Sequence, residues 1–136
     1  MDGIVAGLQN AHALWRYMVL ICAALTVGMM WRGWYGNKSW QTLETRVSSF
    51  FITALDLEVV LGVLVWLFKQ QWTTGDLLST WRHPALMLAI WFFARLGWYR
   101  LRYAKESRDK FRIGAIWFTL ATFFLIIGVL QIMGVF

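Results

Sequence analysis

Four apolar stretches, each about twenty residues long, limit what this chain can fold into. They run from about 11 to 31, 47 to 68, 80 to 99 and 113 to 133. About 20 apolar residues in a helix cross the roughly 30 Å hydrocarbon core of a bilayer. In lipid, a crossing segment satisfies its backbone only as a helix or in a closed barrel. The first three stretches are followed by Arg32, Lys69 and Arg100, and the connections between stretches are short. Short connections make successive helices antiparallel. The expected fold is therefore an all-α integral membrane four-helix bundle, up-down-up-down, forming one domain over residues 1–136.

Composition agrees. The chain is 60% hydrophobic and only 15% charged, too apolar for a soluble domain of its length. The net charge of +6 could suggest nucleic acid, but no soluble basic face is left to bind it. The charge follows membrane topology instead. Arg32, Lys38 and Arg46 lie between the first two stretches, and Arg100, Arg102, Lys105, Arg108, Lys110 and Arg112 between the last two; the other side has only Lys69 and Arg82. Under the positive-inside rule those two loops face the cytoplasm and both termini face the periplasm. The expected location is thus a bacterial cytoplasmic (inner) membrane, crossed several times. Trp31, Trp34 and Trp40 fall near the inner interface, and Trp66, Trp72 and Trp81 near the outer one. The Met-Asp-Gly start has no basic run, so no cleavable signal peptide is expected. The single cysteine, Cys22, reads as a small packing residue and excludes an intrachain disulfide. The loop from Gln70 to Arg82 is too short for a domain and is expected along the outer surface.

Ionisable side chains inside a membrane are expensive and mark function unless a partner explains them. His12, Arg16, Asp56, Glu58, His83 and Arg95 make up the whole set. At about 1.5 Å per residue, His12 stands roughly 30 Å above Arg32 and His83 roughly 26 Å above Arg100. The two imidazoles therefore reach nearly one level near the outer face, on the first and third helices, which sit diagonally in a bundle. A gap of that kind accepts a flat macrocycle whose iron is bound by histidine from both sides. Two alternatives stay open: interfacial histidines bonded to lipid or loop backbone, and a chlorin pigment held by one of them.

Arg16 lies one turn deeper than His12 on the same face, within reach of a carboxylate or an anionic cofactor substituent. Arg82, beside His83, is the better placed for a haem propionate, or it snorkels at the interface. Asp56 and Glu58 diverge by about 200° around their helix. The expected ion pairs are Glu58–Arg16 and Asp56–Arg95, with a proton path to a quinone as the functional competitor. Pro84 either opens the third helix or perturbs its first turn. Ala24 and Gly28 have a spacing that permits close helix approach. Trp91, Phe92, Phe93, Trp98 and Tyr99 surround the third helix and read as lipid or partner contacts.

Three runs carry a resemblance: Ala11-His12-Ala13-Leu14-Trp15-Arg16-Tyr17; Ala54-Leu55-Asp56-Leu57-Glu58, continuing to Leu61-Gly62; and His83-Pro84-Ala85-Leu86-Met87-Leu88-Ala89. In order and spacing the chain resembles a family of small bacterial four-span membrane proteins generally labelled cytochrome b-like. Ile116-Trp117-Phe118, after the basic loop, is similar too. In that family the residue before the second histidine is often acidic, whereas here it is Arg82. The resemblance implies that His12 and His83 are the axial ligands of a haem b.

The expected function is b-type electron transfer within a larger respiratory or photosynthetic complex, with the lipid bilayer and other membrane subunits as partners. Its alternative is a cofactor-free accessory subunit of such a complex, and a chlorin or a quinone could replace the haem. No serine–histidine–acid set, phosphate loop or metal-ligand cluster points to a stand-alone enzyme.

Overall fold

The computed structural model describes residues 2–70 and 77–134. Four helices account for nearly all of them: α1 (Asp2–Tyr35), α2 (Thr42–Phe68), α3 (Leu77–Tyr103) and α4 (Ser107–Ile132). No strand occurs among the described residues. Each helix outruns its apolar stretch at one end or both. Asp2 and Glu44 sit in the first turns of α1 and α2, Arg32 in the last turn of α1, and Arg100 and Arg102 in that of α3. Charges of those signs favour the helix dipole, so amphipathic flanks join the apolar runs.

The ends are defined by backbone chemistry. At the close of α1, Asn37 takes the left-handed conformation (φ 51°). Lys38 N–H then bonds to Gly33 C=O at 3.0 Å and Asn37 N–H to Trp34 C=O at 3.4 Å. This Schellman arrangement stops the helix and folds the chain back. Gln41 N–H donates to Glu44 Oε2 at 2.8 Å, which opens α2. Lys110 Nζ reaches the Leu101 carbonyl at 3.1 Å and so covers the end of α3 from α4.

Each helix touches two others: α1 packs on α2 and α4, and α3 packs on α2 and α4, leaving α1 opposite α3 and α2 opposite α4. The α2–α3 seam is the sparsest. Large side chains fill the core toward the basic end, among them Phe51, Phe111, Phe118, Met30 and Leu101. Phe51 and Phe118 meet edge to face across the α2–α4 diagonal, with ring centres 5.7 Å apart. Close approach is set by glycines other than Gly28. The Phe111 ring lies where a side chain on Gly33 would be, and Trp117 Cβ stands 2.5 Å from the place of a Cβ on Gly97. Gly28 has no atom within 4 Å of such a position, so no neighbouring helix makes the close approach there that its spacing from Ala24 would permit.

Three helices, α1, α2 and α4, are long and apolar enough to cross a membrane. Arg82, Arg95, Arg100 and Arg102 make α3 less apolar. It nevertheless lies between α2 and α4 along its length. Trp81 meets Trp66 of α2, Trp91 meets Asp56, and Gly97 meets Trp117 of α4, so α3 traverses the same thickness as its neighbours. Apolar side chains cover the outside, including Leu14, Leu25, Phe50, Phe92 and Phe123, each more than half exposed. A surface of that kind suits lipid rather than water. The expected outer loop and Trp72 fall on residues 71–76, outside those described, and α3 is already helical from Leu77.

Candidate functional site: the paired histidines

At the end of the bundle away from the basic loops, the α1–α3 diagonal is bridged by two imidazoles. The rings of His12 and His83 meet edge-on, with centres 6.4 Å apart and planes at 77°. Both are half-buried. They line one small cavity of the bundle.

The register of α1 against α2 holds His12. Trp15 Nε1 donates to the Ala54 carbonyl at 2.8 Å, which fixes that register one turn below the site. His12 then lies level with Glu58 and Gly62. A Cβ on Gly62 would stand 3.0 Å from His12 Cε1, so the missing side chain is what lets the imidazole lie against α2. In that position His12 Nδ1 pairs with Glu58 Oε1. Glu58 is 2% exposed, the most buried acidic side chain among those described.

The pairing corrects one expectation. Glu58 binds His12, and no Glu58–Arg16 ion pair occurs among the described residues. Gly62 draws the histidine into carboxylate range, and the arginine one turn deeper keeps only the cavity wall. Arg16 lines the same small cavity as His12, Glu58 and His83; its Nε is buried without a hydrogen-bond partner, and its guanidinium carbon lies 5.6 Å from the Tyr17 ring centre. His83 Nδ1 is likewise buried and unpartnered. Arg82 is exposed and lies outside the cavity lining.

The second expected ion pair is present. Arg95 Nη2 pairs with Asp56 Oδ2, and Arg95 Nε donates to Oδ1 at 3.2 Å. Trp91 Nε1 donates to the same Oδ1 at 2.8 Å. Three donors on one carboxylate make this a structural clamp between α2 and α3. Sequence reasoning took Trp91 for a lipid or partner contact and missed this bond; its position four residues before Arg95, on one helix face, was the available signal.

Pro84 lies inside α3, well beyond the first turn. It has no N–H for the carbonyl four residues back, which loosens the helix next to His83.

A haem can be judged against these groups. Two imidazoles bound to opposite sides of one metal ion, at about 2 Å per nitrogen, have ring centres about 6 Å apart. The observed separation fits that spacing, and steep ring planes are compatible with it. A carboxylate on one imidazole nitrogen, leaving the other for the metal, is the usual outer-shell arrangement of a ligating histidine. The unpartnered Arg16 Nε suits an anionic substituent. The donor set therefore fits. The cavity between the rings measures about 10 Å³, room for about one water, and Val19, Met87, Leu125 and Ile132 close its sides. A macrocycle requires those side chains to part.

Three further comparisons bear on the chain: no family model, no curated protein and no solved structure matches it.

Proposed function

We propose that this protein binds a b-type haem between His12 and His83 and transfers electrons within a membrane complex. The observation that carries the reading is the inward-facing imidazole pair on diagonal helices, at a separation suited to one shared metal ion. The resemblance of these runs to small cytochrome b-like membrane proteins points to the same two ligands. Held by these two histidines, a haem would supply one-electron chemistry. The chain's own residues do the rest. Glu58 pairs with His12 Nδ1 and so would orient the ring. Gly62 gives that ring its space. Arg16 would offer its guanidinium to a carboxylate on the group, and the aliphatic side chains of α1, α3 and α4 that line the cavity would keep water out. Accommodation of the macrocycle needs the bundle to widen at this end, and the α2–α3 seam is where the helices touch least.

The wider setting belongs to the same proposal: a bacterial inner membrane, periplasmic termini and neighbouring electron-transport subunits. Exposed Phe92, Tyr99 and Tyr103 on α3 offer such subunits a surface.

A second reading, a cofactor-free accessory subunit, is favoured by the small cavity, which has no room for a large ligand as it stands. Reduced-minus-oxidised absorption of protein purified from haem-sufficient cells separates the two. The haem reading expects a sharp α-band that disappears in His12→Ala and in His83→Ala. Colourless, folded wild-type protein that takes up no added haem overturns it in favour of the accessory role.

A further inference from the structure

We propose that the basic end of the bundle holds a binding site for an anionic glycerophospholipid, in a cleft bounded by α1 and the first turns of α2 and α4. The cleft encloses about 410 Å³, within the range of small-molecule sites. Its chemistry changes with depth. Arg32 and Lys38 stand at the mouth; Gly28, one helical turn deeper, and Leu25 form an apolar wall. The wall continues to Ala24, roughly 12 Å along α1 from Arg32. The open space over Gly28 is part of this cleft, which accounts for a small residue that no neighbouring helix approaches. Phe111, seated on Gly33, closes the floor. Cations at the membrane surface and an apolar channel leading inward match a phosphate headgroup followed by an acyl chain.

Several other cations of the basic end are already engaged. Lys110 is bonded to the Leu101 carbonyl, and Arg112 pairs with Asp109. Arg102 and Arg100 stand over Trp98 and Trp117. Arg32 and Lys38 make no side-chain hydrogen bond or ion pair among the described residues, and the α1 Schellman turn returns Lys38 to the mouth beside Arg32. The one acidic residue lining the cleft, Glu44, has its Oε2 occupied by the Gln41 N–H. Two free cations against one engaged carboxylate favour a net-negative headgroup over a zwitterionic one. The site lies at the opposite end of the bundle from the histidines and does not depend on their role.

The test uses the full chain, purified and delipidated in neutral detergent, with binding read by native mass spectrometry and by thermal shift. The probes are phosphatidylglycerol, phosphatidylcholine, phosphatidylethanolamine and inorganic phosphate. Phosphatidylglycerol is expected to bind about thirtyfold more tightly than phosphatidylcholine, the advantage of two basic residues at a membrane surface. The double variant R32Q/K38Q brings it to the phosphatidylcholine level. Gly28→Leu, which fills the channel and keeps both charges, weakens it as well, whereas K105Q/R108Q, an equal loss of charge elsewhere, leaves it unchanged. Equal binding of the zwitterionic lipids, full competition by inorganic phosphate alone, or wild-type affinity in R32Q/K38Q and Gly28→Leu overturns the proposal.

Discussion

Gly62 decides where the His12 imidazole lies, and so which carboxylate it meets. A larger residue there would push the ring off α2 and away from Glu58. Gly62→Val is therefore expected to abolish haem uptake while leaving the helical circular-dichroism signal intact; uptake at the wild-type level would show that His12 is not held as described. Glu58 acts through His12. Glu58→Ala is expected to weaken haem retention by about 10–100-fold, the usual cost of losing an outer-shell partner of a metal ligand. Titration of the apoprotein with haemin measures this, with Glu58→Gln recovering part of the loss because an amide oxygen still accepts from Nδ1. The histidines themselves were legible in the sequence, since depth can be counted along a helix. The Glu58 partner was not. Axial distance alone favoured Arg16, and the space that a missing side chain leaves on α2 becomes visible only once the helices are in register.

At the scale of the element, hydropathy found all four helices and most of their boundaries to within a few residues on the membrane side. It missed their extensions, because capping and flanking charges, not apolarity, carry α1 back to Asp2 and α3 forward to Tyr103. The Asp56–Arg95 pair was readable from complementary charges at one level, and the structure adds Trp91 to it. This cluster ties α2 to α3, the sparsest of the four helix seams. Asp56→Ala leaves three donors on two side chains without their acceptor and is expected to destabilise the bundle by about 1–3 kcal/mol. Arg95 is 44% exposed, so Arg95→Ala is expected to cost less. The double variant should lose less than the sum of the two, the mark of a direct contact. Thermal melts in detergent check this; additive losses would mean that the clamp contributes nothing of its own.

In the whole molecule, two diagonals divide the work. At the basic end the α2–α4 diagonal is filled by Phe51 and Phe118. At the other end the α1–α3 diagonal carries His12 and His83, with Glu58 and Arg16 around them. Polar and ionisable groups thus gather where the core is least filled with aromatic rings, as expected of a bundle that spends stability on a buried site. The measurement that tests this most directly is electron paramagnetic resonance of the oxidised, haem-loaded protein in membranes. Ligation by both histidines predicts a low-spin ferric signal that turns high-spin, or disappears, when either His12 or His83 becomes alanine. A high-spin signal in the wild type, or a low-spin signal that survives both substitutions, would contradict the shared-ligand account.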